Sequence, residues 1–238
     1  MQADELFNSK SSQRQETQWM SIADMMSGLM VIFLFLAIAY MKDVVQEKYK
    51  IEQVAVLWNI TQESLYEDLS TEFKDDLPRW QAEIDKESLS VRFKEPSVFF
   101  VAGSSTISPG FQNILADFFP RYLNVLRQYR GNIAEVRIEG HTSSEWEGAS
   151  NGLEAYFKNM ELSQNRTRAV LQYCLSLEQV KGDIEWAKET LTANGLSSSK
   201  LVRGKDGDEE VALSRRVEFR VRTDAEKRIV SILEGIGQ

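Results

Sequence analysis

The spacing of apolar residues changes three times along this chain. From Met20 to Met41 the run MSIADMMSGLMVIFLFLAIAYM is apolar on every side, and Asp24 is its only charged residue. At about 1.5 Å per residue such a run crosses a hydrocarbon core of roughly 30 Å, so it predicts a transmembrane helix. From Lys42 to Glu87 charges return, while Val44, Val45, Ile51, Val54, Val56, Leu57, Ile60, Leu65 and Leu69 keep near-helical spacing as far as Pro78. That pattern predicts a helical linker or stalk.

Beyond the linker the periods alternate. Leu89–Phe93 and Val98–Val101 read as short β-rich pieces, Phe111–Tyr129 as a helix interrupted near Pro120, and Ile133–Glu139 as a strand. Leu162–Leu177 is strongly amphipathic, Ile184–Ala193 weakly so, and Arg216–Val221 alternates again. The predicted order is β, α, β, α, α, β, a small α/β sandwich. The chain thus divides into a tail (1–19), a span (20–41), a helical linker (42–87) and an α/β domain (88–238).

Composition narrows the chemistry. Lys and Arg number 28 against 36 Asp and Glu, a formal charge of −8 that repels phosphate backbones and argues against direct nucleic-acid binding. With Cys174 as its one cysteine and His141 as its one histidine, the chain cannot form an internal disulfide, a Cys/His zinc site or a triad with a spare histidine. No GxxxxGK[ST] loop occurs. Asp206, Asp208, Glu209 and Glu210 lack calcium-loop spacing. Glu145 and Glu147 share one loop rather than flanking a bond to be cleaved. The expectation is a binding protein without cofactor, metal or catalytic centre.

Asp24 has two readings. A carboxylate in a bilayer costs about 2.5–3.5 kcal/mol and marks a functional position by default. Four residues into the span, it equally suits a helix cap or a headgroup contact. On a helical wheel it shares a stripe with Gly28, Val31, Phe35 and Ile38, and Ser21, Ser27 and Gly28 are small enough for another helix to approach. One span cannot enclose an ion path, so an ion-carrying role requires a multispan partner. The A-x-A run Ala37–Ala39 also allows a cleaved signal peptide, but the long mixed-charge tail and the internal acid favour a retained span. Basic residues on both sides leave orientation to size: a short tail inside, a large domain outside the cytoplasm.

Gly140, His141 and Thr142 after a strand, then Asn159, Leu162, Ser163 and Arg166 on a helix, then Arg215, Arg216, Val217 and Glu218 on a last strand resemble the OmpA-like peptidoglycan-binding domain. Joined to a single span with an early aspartate, the chain resembles the MotB class of ion-driven stator subunits. Within that class, SIADMMSGLMVIFLFLAIAYM and GHTSSEWEGAS resemble the ZorB subunits of Zorya anti-phage systems.

The resemblance implies a single-pass protein of the bacterial inner membrane with a cytoplasmic amino terminus and a periplasmic carboxyl-terminal domain. It implies a homodimer inside a ring of five multispan ZorA/MotA-like subunits, turned by proton flow. Asp24 would carry the proton. Arg166 would grip the diaminopimelate carboxylate of peptidoglycan, beside Asn159, Leu162, His141, Thr142, Ser143 and Arg216, with Arg215 matching the other member of the family's terminal arginine pair. The chain departs from the pattern at Ser143, where the family has an aspartate for the ligand ammonium, and by an insertion carrying Glu145, Trp146, Glu147 and Tyr156. Ser214 and Thr167 replace a customary asparagine and alanine. Read from the residues alone, His141 is a hydrogen-bonded strand-end residue and Cys174 a core residue.

Overall fold

The computed structural model describes residues 2–94, 99–101 and 103–224. Val98 lies outside the described residues, as do the side chains of the first eighteen residues and of Met20, Ser21, Val54, Leu57 and Trp58. The chain forms two units, Met1–Gln53 with Ile232–Gln238, and Val54–Ser231.

Helix α1 (Gln2–Phe73) supplies the described part of the first unit and the opening of the second. No proline falls before Pro78, so nothing in the sequence breaks the ladder earlier. Its segment Ile22–Glu52 is long and apolar enough to cross a membrane. The apolar side chains from Met25 to Met41 are exposed, as lipid or a partner helix would require.

In the second unit the end of α1 turns amphipathic. Leu65, Leu69 and Phe73, four residues apart, are fully buried. Arg121 ties the helix down through Glu72 Oε1 at 2.6 Å and Asp76 Oδ2 at 2.8 Å, and Tyr129 donates to Asp68 at 2.6 Å. The helix expected through residue 87 therefore ends at Phe73, and Ala82–Asp85 forms a strand, β1. Pro78 bars the preceding residue from helical backbone, and the chain re-enters as an edge strand.

Strands β1, β2 (Ser90–Lys94), β3 (Ile133–His141), β4 (Leu191–Ser197) and β5 (Arg216–Thr223) make one sheet in the order β1-β2-β5-β3-β4. Only β3 and β4 run parallel, joined through helix α3 (Gly152–Ser176) and the short α4 (Ile184–Thr190). The helix expected over 184–193 thus gives way to a strand. The helix ends at Thr190, β-branched Thr192 lies in the strand, and Asn194–Gly195 disguises the strand in sequence.

Val91, Phe93, Val136, Ile138, Val217, Phe219 and Val221 form the core face of the sheet. Helix α2 (Pro109–Arg127) covers it, capped by the Ser108 hydroxyl, which accepts from the Phe111 amide at 3.2 Å. Pro120 does not interrupt α2. It removes one ladder bond, while Phe118, Phe119, Tyr122 and Leu123 on either side are all buried. Phe118 is the hub, packing within 5.1 Å of the Phe93, Phe73, Phe219 and Tyr122 rings. Cys174 is fully buried as expected, its thiol pushed up by that burial.

Phe118→Ala should lower unfolding free energy by about 3–5 kcal/mol in urea titration, since its ring contacts with Phe73, Trp80, Phe93, Tyr122 and Phe219 are replaced by a cavity. Asp183, buried between Arg127 and Arg130, has its carboxyl held below the usual carboxylate range, chiefly by the Arg127 hydrogen bond. A depressed folded-state value stabilises above the unfolded value near pH 4 and is lost as pH falls through the folded one. Asp183→Asn should therefore destabilise the domain by about 1–3 kcal/mol at neutral pH, and much less near pH 2.

Candidate functional site

Where β3 ends, α3 lies almost on the backbone of the sheet. A Cβ on Gly195 would stand 2.3 Å from the Gln164 nitrogen, and one on Gly140 would stand 2.7 Å from Thr167 Cγ2. Only glycine fits at either place. Ser163 Oγ fills the gap, accepting from the Ser197 amide at 3.1 Å, while Thr142 N donates to Ser197 O at 2.9 Å. The amino terminus of α3 is fixed by a reciprocal cap: Asn151 accepts from Glu154 N, and Glu154 accepts from Ser150 N and Oγ.

Asn159 projects from α3 into the loop after β3. Its amide nitrogen donates to Ser143 O at 3.1 Å and Glu145 O at 3.0 Å, and the residue is buried. Asn159 therefore shapes the loop and uses both donors within the protein. Ser143, also buried, accepts from Arg215 Nε at 3.0 Å. The residue standing where the resemblance expects an aspartate thus aims a guanidinium.

Arg166, two turns beyond Asn159 on α3, stacks on the Phe100 ring at 4.7 Å and donates from Nε to Ser104 O at 3.0 Å. It has no carboxylate within ion-pair distance among the described residues. Burial, and then the charge of Arg215, lower its pKa to about 10. Two like charges therefore converge. Among the described residues the acid within ion-pair distance of Arg215 is Glu145, at 3.7 Å and 68% exposed. Thr142 Oγ1 is buried without a hydrogen-bond partner among the described residues, and Leu162 is half-buried. One turn along α3 an open cavity of about 440 Å³, lined by Ser105, Thr106, Gln112, Gln172, Tyr173 and Ser176, carries no charged side chain.

The structure thus gathers Ser143, Asn159, Arg166 and Arg215, with Thr142 at the same loop. It does not bring His141 and Arg216 to them. Ile138 and Gly140 face the core and α3, so by alternation Glu139 and His141 face the opposite side of β3. Arg216 is buried there, donating to Glu218 and to the carbonyls of Lys200 and Ser214. Burial opposes ionisation of Glu218, yet Arg216 and Arg92 outweigh it and hold the carboxyl low. Of the arginine pair, Arg215 faces the α3 site. Phe100, Ser104 and Ser197 were not legible as site residues, because each acts through its ring or backbone across more than 30 positions.

Asp24 lies inside α1, which starts at Gln2, so it has no first-turn amides to cap. It is exposed, as are Gly28, Val31, Phe35 and Ile38 of its stripe.

A Zorya protein ZorB from Escherichia coli is 50% identical over 216 residues, covering 91% of this chain and 92% of its own length. The chain belongs to the ZorB family. The OmpA family model matches residues 99–215, the part of this ZorB-family chain that holds the site. Among solved structures, a MotB-like protein from Desulfovibrio vulgaris is 25% identical, covering 74% of this chain and 94% of its own, with a TM-score of 0.49. A type VI secretion cell-wall anchor from Pseudomonas aeruginosa is 21% identical, covering 65% and 96% respectively, with a TM-score of 0.45.

Gly195→Ala should force α3 off β4 at a cost of about 1–3 kcal/mol, read in urea unfolding. Gly131→Ala, in open space, should change stability by less than about 0.5 kcal/mol.

Proposed function

We propose that this chain is the wall-binding, ion-carrying subunit of an inner-membrane motor complex that acts in anti-phage defence. The observation carrying the wall-binding half is Arg166, a half-buried guanidinium that no acid neutralises, set beside Arg215. An anion between them would relieve both burial and mutual repulsion. A planar guanidinium pairs best with a carboxylate through two parallel hydrogen bonds. The peptide stems of peptidoglycan carry such carboxylates, and the uncharged groove beside Arg166 suits the amides and hydroxyls that surround them.

Two supports carry the motor half. The relative at 50% identity is a Zorya ZorB, and Asp24 sits mid-helix in an apolar span with no capping duty. An acid facing a protein seam is neutral when dry and ionised when wetted, so a proton entering from one side and leaving on the other cycles it. A membrane potential supplies about 2.3 kcal/mol per charge per 100 mV. The partner is a multispan ZorA/MotA-like subunit, five around two copies of this chain, with the amino terminus cytoplasmic and the α/β domain periplasmic. Anchored copies would then resist the torque on the ring.

Two measurements separate the halves. Arg166→Ala and Arg215→Ala should each reduce retention on purified sacculi tenfold or more, while Arg130→Ala leaves it unchanged. Asp24→Asn should abolish phage protection in cells yet leave sacculus binding intact. Unchanged protection would reduce the chain to a passive anchor.

A further inference from the structure

On the sheet face away from α3, three buried side chains surround a gap. His141 Nε2 stands 3.7 Å from Glu139 Oε2 and 3.9 Å from Glu218 Oε1. One ligand atom from each of the three lies within 4.8 Å of the others. His141 is 4% exposed, and neither of its ring nitrogens has a hydrogen-bond partner among the described residues. A histidine that buried ordinarily finds at least one.

These separations are too long for hydrogen bonds. They match the roughly 3–4.2 Å that separates ligands bound at about 2.0–2.2 Å to one ion, with a small closure of the third edge. The charges point the same way. Glu139 is 4% exposed and has no Lys or Arg within ion-pair distance among the described residues. A carboxylate so buried needs a cation. Glu218 Oε1, the oxygen that faces His141, also accepts from Arg92 Nε and Arg216 Nε, while no side chain among the described residues donates to Oε2, so the carboxylate keeps an oxygen for the ion.

We propose that Glu139, His141 and Glu218 form a binding site for one divalent transition-metal ion, Zn2+ above all. One imidazole with two carboxylates favours zinc or its first-row neighbours over magnesium and calcium, which prefer all-oxygen shells. Glu139 and Glu218 are opposed in the register of β3 and β5, so the ion would clamp the two strands leading into Ser143 and out of Arg215. This site is separate from the Arg166 locus, and its test is independent of wall binding. Counting cysteines and histidines could not reveal it, because the second acid arrives from a strand far along the chain.

The test uses the full chain in detergent, without a polyhistidine tag and stripped of metal by chelation. Titration with ZnCl2 in a calorimeter should show one saturable site per chain, weaker for MnCl2, and Tm should rise with Zn2+. Glu139→Gln keeps shape while removing a buried charge, and should weaken Zn2+ at least tenfold; His141→Gln should do the same. Absence of saturable binding to the folded parent chain overturns the proposal, as does undiminished binding by Glu139→Gln. If His141→Gln fails to fold, the parent titration and Glu139→Gln decide. A Tm that follows pH but ignores Zn2+ assigns the gap to a proton on His141 and also overturns it.

Discussion

The close approach of α3 to the sheet is the constraint on which the site rests. Without a side chain at Gly140 and Gly195, the helix descends until Ser163 reaches the Ser197 amide. That depth lets Asn159 reach the loop carbonyls and sets Arg166 against Phe100. Asn159 then fixes Ser143, and Ser143 fixes Arg215. Two guanidiniums are held near each other, against their repulsion, by packing rather than by any bond between them.

The sheet divides its labour by face. The core side is aromatic and aliphatic, centred on Phe118, and gives the domain its stability. At its edge the α3 loop cluster presents positive charge. The other side carries an interlocked polar row, Glu83, Arg92, Glu218 and Glu139, running strand to strand. A one-residue slip of β5 would exchange these sides and bury the arginines in the core, so the polar row also defends the register.

Sequence patterning carried the span, the α/β class, α3, β3 and β5, because each is a long stretch with one clear period. It failed where tertiary context overrode local preference. The end of α1 and β1 read as one stalk, since Leu65 and Leu69 have helical spacing and four strand residues after Pro78 carry almost no signal. Strand β4 was hidden by Asn194 and Gly195, and Pro120 was read as a break that buried aromatics override. At the site, Asn159, Arg166 and Ser143 were legible through family spacing. His141 and Arg216 were drawn to it by the same spacing, although strand alternation sends their side chains to the far face. Which arginine of a pair faces a ligand is a matter of β-strand phase, and the first residue of β5 was ambiguous from sequence.

Cys174 has one more consequence. Its sulfur is enclosed on every side, and the chain has no other thiol. Oxidising surroundings therefore offer no disulfide by which two folded copies can be crosslinked, so any pairing of protomers must hold without one. A cysteine introduced on the surface would be the sole reactive sulfur, ready for a fluorophore without prior removal of the native one.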